Sequence, residues 1–205
     1  MNTIDQPEKL DRRQQRTRRL LKEALISLIV ERGYDDLTIQ DITDRADLRR
    51  ATFYLHYTTK EELLAQILHE MFDALVAEIG PTITAGDPLG GKTRLEPFLA
   101  MFEHVALHRE LYRALLLGAA GTGITRLMRD YLAGLIVRAL EASPAGTVST
   151  SPAALAHYLA GAELGLVTWW LESNSGMPPA ELARLAHRLV LDGARGVMPT
   201  LSSGD

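Results

Sequence analysis

The chain of 205 residues has no cysteine. Disulfides, thiolate metal sites and a cysteine nucleophile are therefore excluded, and a reducing cytoplasm is the simplest location. The opening residues MNTIDQPEKLDRRQQR lack the apolar core that a signal peptide requires. No internal repeat and no convincing series of strands can be read. Neither a Ser-His-Asp arrangement nor a paired-carboxylate motif is evident, so nothing positive supports an enzyme, catalytic residues or a cofactor. Gly118, Gly121 and Gly123 echo a dinucleotide loop, but the preceding LYRALLL is helix-periodic and no strand-loop-helix unit surrounds them. They read as an interhelical turn. His104 and His108 would share a helix face, yet no third ligand lies nearby in sequence, so core or pocket histidines are expected and no metal.

One stretch, Pro152 to Leu171, is almost wholly apolar over 20 residues, the length of a membrane span. Glu163 near its centre would cost about 2.5 to 3.5 kcal/mol in a bilayer. His157 and Thr168 add polarity, and the basic flanks of an inserted helix are missing. A helix buried on more than one side is expected instead, with no membrane partner.

What is present is unevenly distributed. The hydrophobic content of 46% allows one large core or two small ones. The net charge of -4 divides into 12 Lys and Arg against 10 Asp and Glu over residues 1–60, and 10 against 16 over 61–205. The first part therefore faces nucleic acid more readily. The local cluster Arg12, Arg13, Arg16, Arg18, Arg19 and Lys22 matters more than the total, as an arm before the first helix that could reach phosphates.

Residues 37–63, LTIQDITDRADLRRATFYLHYTTKEEL, are the most informative. Thr38 precedes an apolar-periodic run with Asp41 three residues on, an Asp variant of the capping box, so a helix starts there. Ile39, Ile42 and Ala46 share one face. Asp47 and Leu48 make a turn. In that second short helix Phe53 packs inward and leaves Arg49, Arg50, Thr52 and Tyr54 outside. Thr59 with Glu62 forms a second capping box and opens a further helix at Lys60. The pattern is a DNA-binding helix-turn-helix. Two arginines in the first turn of a helix oppose its dipole by roughly 0.3 to 1 kcal/mol each when exposed. Such a local conflict marks a functional position, and arginine reads guanine bidentately in the major groove.

These residues, with the arginine-flanked RTRRLLKEALISLIVERGY before them and its Gly33-Tyr34 break, resemble the DNA-binding domain of the TetR family of bacterial transcriptional regulators. The likeness spans about Arg16 to Leu63; beyond it the chain agrees in length and all-helical texture. Three departures are Arg49 where the family usually has Ser or Thr, Ala51 where Gly is common, and Thr43 where Ala is usual. The resemblance implies phosphate or groove contacts for Thr52, Tyr54, His56 and Lys60, and a possible helix 2 contact for Gln40. It also implies a C-terminal domain for ligand and dimerisation.

Helices are expected at about 10-32, 39-46, 50-56, 60-80, 94-107, 109-117, 123-142, 152-173 and 179-196, giving an all-α chain. Residues 1–60 form the DNA-binding domain and 61–205 the second domain. GPTITAGDPLGGKT, SPAGTVSTSP and SNSGMPP read as linkers. In the apolar helix Ser151 caps, Pro152 takes the first turn, and Gly161 and Gly165 permit close helix approach. With Leu182, Leu185 and Leu189 on the last helix they are the expected dimer interface. Phe98, Phe102, His104, His108, Tyr112, Met128, Tyr131, Tyr158 and Trp169 are the candidate lining of a small-molecule pocket in the helical bundle. The reading is a homodimeric regulator, a repressor released from a palindromic double-stranded DNA operator by a small-molecule inducer. The alternatives are a helical interaction module without DNA binding and a small helical enzyme using His104 and His108.

Overall fold

Gly33 ends the first helix because its φ of +81° lies in the left-handed region that glycine enters freely. The computed structural model describes residues 6–79, 95–119, 121–141, 150–173 and 175–194. Its helices are α1 (Gln6–Arg32), α2 (Ile39–Arg45), α3 (Arg50–Tyr54), α4 (Lys60–Ile79), α5 (Glu96–Leu107), α6 (Arg109–Leu116), α7 (Gly121–Glu141), α8 (Pro152–Glu172) and α9 (Pro179–Ala194), with no strand among the described residues. The all-α class expected from the sequence is what is found. The anticipated linker over 80–93 and most of that over 143–152 lie outside the described residues, as do expected helix ends at 80, 94, 142, 195 and 196.

The chain divides into two compact units, 1–68 and 69–205, with the division inside α4. In the first, Leu21, Ala24, Leu25, Leu28 and Ile29 repeat at helical spacing and are buried as one stripe of α1. Ile42 and Ala46 of α2, Phe53, Tyr57, Leu63 and Leu64 complete this core. Both halves of the Thr38–Asp41 capping box form, so α2 begins where the sequence places it. Thr43 is fully buried, and its hydroxyl is satisfied by donating to the Ile39 and Gln40 carbonyls. That is how a polar residue fits a position facing the core.

In the second unit α7 packs along α8 and α5 along α9. Ala133, Ala156 and Ala160 let α7 and α8 approach closely, with Leu132, Ile136 and Val137 packed around them. Ser151 caps α8 by accepting from the Ala154 N–H, with Pro152 in the first turn. The other end of α8 is closed from outside. Arg109 donates to the Trp170 carbonyl at 3.3 Å and lies 5.0 Å from its ring, while Arg113 donates to the Leu171 carbonyl. Two cations thus meet the negative end of the α8 dipole and its orphan carbonyls. Gly121 opens α7 because an added Cβ would strike the Leu116 carbonyl oxygen. No helix among the described residues is long and apolar enough to cross a membrane.

Candidate nucleic-acid interface

Helix α3 has five residues, too few to hold itself together by backbone hydrogen bonds. It is held by Phe53, fully buried, whose ring sits 5.7 Å from those of Tyr54 and Tyr57. The opposite face is left to solvent. Arg49 and Arg50 are exposed there, as is Tyr54, and the Arg50 guanidinium donates to the Tyr54 hydroxyl at 3.1 Å. The two form one exposed i, i+4 pair at the surface. Thr52 and His56 are half-buried on the flanks of this face. Burial and, secondly, the nearby Arg18 charge lower the His56 pKa. Near neutral pH His56 therefore offers a neutral imidazole.

Helix α2 is tied to α1 through side chains that sequence spacing alone does not pair. Arg45 donates to Ser27 at 2.6 Å and pairs with Glu31, and Arg32 meets Asp41 at 3.0 Å. Such exposed pairs add little stability and serve mainly to fix orientation. The Thr38 hydroxyl and backbone N–H, then Arg32, hold the Asp41 carboxyl down at about 2, so the cap stays ionised. Gln40 is exposed and donates to Asp44 at 2.7 Å.

Three expectations for this unit are corrected. Lys60 does not present its ammonium outward: Nζ donates to the carbonyls of Tyr34, Asp35 and Leu37 at 3.3, 3.0 and 2.7 Å and lies 4.6 Å from the Tyr34 ring centre. In this arrangement the ammonium holds the α1–α2 turn. Asp47 occupies the expected turn, at φ +54°, and Arg49 is the N-cap residue of α3 without a side-chain bond. The basic cluster from Arg12 to Lys22 is not an arm before the first helix but part of α1. Glu62 accepts from the N–H of Thr58 at 2.6 Å, one residue earlier than a reciprocal capping box requires, while Thr59 accepts from Glu62 as expected.

In the second unit the candidate ligand residues separate by burial. Phe102, Tyr112 and Met128 are core side chains at 0%, 1% and 2% exposure. The His104 ring lies tilted against that of His108 at 4.7 Å and meets the Tyr112 ring edge-on at 5.9 Å, so these three form one cluster. The Tyr112 hydroxyl is buried with no hydrogen-bond partner among the described residues, and burial raises its pKa. Phe98 packs on His187, and Tyr131 stacks on His69 and Phe72 and donates to Asp73. Tyr158 and Trp169 do not line the interior of the bundle: at 68% and 44% exposure they face outward, and Trp169 lines surface grooves beside α8. No group of three His, Cys, Asp or Glu side chains among the described residues could hold a metal.

The expected interface residues also separate. Leu182 is fully buried within its own chain and is a core residue, which corrects its assignment. Gly161 and Gly165 are exposed with open space beyond them, Leu189 is 61% exposed, and Leu185 is partly covered. Two surface grooves flank Trp169. One, of about 310 Å³, lies between α8 and α9; the other, of about 420 Å³, lies between α7 and α8, and Gly165 lines both.

Sequence reasoning missed two features here. Arg109 and Arg113 were unremarkable as surface cations. Glu163 was noticed only as an obstacle to membrane insertion. Its Oε2 is buried without a partner, and burial pushes its carboxyl to about 7. A lone carboxylate within an apolar helix is the signal that could have flagged it.

Two family profiles match in succession. "Bacterial regulatory proteins, tetR family" covers residues 21–67, and "Transcriptional regulator C-terminal region" covers residues 92–192. The chain belongs to the tetR family of bacterial regulatory proteins. The family relatives include the HTH-type transcriptional regulator YxbF of Bacillus subtilis (strain 168), 27% identical over 181 residues, 88% of this chain and 46% of that protein. The HTH-type transcriptional repressor DhaR of Mycobacterium sp. (strain GP1) is 36% identical over 66 residues, 32% of this chain and 33% of that protein. The chain thus spans less than half the length of these two relatives. Among solved family structures, Thermus thermophilus FadR in complex with lauroyl-CoA aligns with a TM-score of 0.62 at 21% identity, covering 86% of this chain and 94% of that one.

Proposed function

We propose that this chain is a homodimeric DNA-binding transcriptional regulator, a repressor whose hold on a palindromic operator is released by a small-molecule ligand. The observation that carries it is the outward face of α3, where Arg49, Arg50 and Tyr54 stand exposed on a helix fixed from behind by Phe53. An exposed helix with arginines at its start is what base reading in a major groove requires. Gln40, Thr52 and His56 border it and are suited to positioning contacts with the DNA backbone. The repressor named among the relatives supports the direction of control, and a protein of the same fold holding lauroyl-CoA supports a ligand as the release signal.

The operator is obtained by selecting genomic fragments bound by the purified protein. Arg50→Ala is expected to relax specificity at one base position and to weaken operator binding by about 1 to 3 kcal/mol. Competition binding over point-mutated operators reads this out. Unchanged preference at every position removes Arg50 from base reading.

The dimer is proposed to form through the outward face of α8 and α9, where Gly161, Gly165, Tyr158, Trp169 and Leu189 leave apolar surface uncovered. A two-fold dimer would offer one recognition helix to each half-site of a palindrome, the half-sites lying about 34 to 36 Å apart, one turn of the duplex. Leu189→Glu places a charge on that face without touching the chain's own core. Sedimentation is expected to show a helical monomer, and a fully dimeric variant would move the interface elsewhere.

A further inference from the structure

We infer that the groove between α8 and α9 is a binding site for a small organic amine, its ammonium held by the Glu163 carboxylate and its apolar body by the groove walls. The proposal rests on the ligand-responsive reading above and names the chemistry of the ligand. The volume of about 310 Å³ is at the lower end of small-molecule sites. Its walls are apolar: Ala162, Gly165, Leu166 and Trp169 from α8, with Leu189 and Val190 from α9. Glu163 is the only ionisable side chain in the lining, and its buried Oε2 accepts from nothing.

An acceptor in that state is strongly unfavourable unless a donor arrives. The residues one turn away on α8, Leu159 and Val167, are buried hydrophobics and supply none. Nor does α9, which contributes Ala186, Leu189 and Val190 here. Among the described residues none donates to this oxygen. Because the groove contains no cation, a ligand carrying one would restore the ionised carboxylate in a charge-assisted hydrogen bond. The adjacent Trp169 ring adds a face that attracts cations. Apolar walls around a single acceptor therefore select an amphipathic amine over an anion or a polar sugar. In the proposed dimer this groove would lie at the seam between the two copies.

The test is calorimetric titration of the full-length protein with 2-phenylethylamine and tryptamine, each beside its neutral alcohol counterpart. Wild type is expected to bind the amines and not the alcohols. Glu163→Gln, nearly isosteric, is expected to weaken the amines about tenfold or more, the loss of one charge-assisted bond. Ala162→Leu, which narrows the groove and leaves the carboxylate in place, is expected to weaken them as well. Circular dichroism confirms that both variants are folded. If neither amine binds wild type, or Glu163→Gln binds them equally, the assignment is overturned. A Glu163→Gln variant that alters dimer dissociation while wild type ignores amines would give the carboxylate to the second copy instead, and overturn it too. Operator affinity of the wild-type preparation reports separately on the regulator reading.

Discussion

Lys60→Met is expected to lower the stability of the N-terminal unit by about 2 to 3 kcal/mol, the scale of losing hydrogen bonds to a charged donor. Methionine keeps the apolar stem and removes only the ammonium that bonds the carbonyls of Tyr34, Asp35 and Leu37. Those carbonyls form the turn between α1 and α2, so the turn should loosen first. Faster amide exchange at Leu37 and the α2 start, with a lower melting temperature, is the expected record. The salt dependence of DNA binding should keep its slope. A slope reduced by about one, with stability unchanged, would return Lys60 to the phosphate backbone.

A larger loss is expected at Phe53. Phe53→Ala removes a fully buried ring from behind a five-residue helix, and such truncations cost about 3 to 5 kcal/mol. Because α3 has almost no stability of its own, its order depends on this side chain. Operator binding should vanish while the helices of the second unit persist. Circular dichroism with tryptophan fluorescence separates the two outcomes, since Trp169 and Trp170 both lie in the second unit. Retained specific binding by Phe53→Ala would show that α3 is held by something else.

The legible parts share a property. Thr38 and Asp41 cap α2 across three residues, Ser151 caps α8 by the same local rule, and Gly33 ends α1 through its own backbone freedom. The burial of Phe53 and the exposure of Arg49, Arg50 and Tyr54 follow from helical period once the start of α3 is placed. Where the same local reasoning erred, the competing partner was equally close. Glu62 reached Thr58 instead of Thr59. Periodicity also marked Leu182 as apolar and outward-facing, but it cannot say which neighbour covers a stripe.

By itself the sequence determined the all-α class, the helix-turn-helix and the residues it shows to solvent, because caps, turns and periodicity act over a few residues. Tertiary structure decided the rest. Lys60 finds its acceptors 23 to 26 residues earlier in the chain, and Arg109 and Arg113 close α8 from 61 and 58 residues away. Tyr158 and Trp169 turned outward, and Leu182 inward, according to which helices packed beside them. Glu163 became unusual only when packing removed water from its carboxylate without supplying a donor. Desolvation and long-range pairing depend on what surrounds a side chain in space, and no spacing along the chain encodes that.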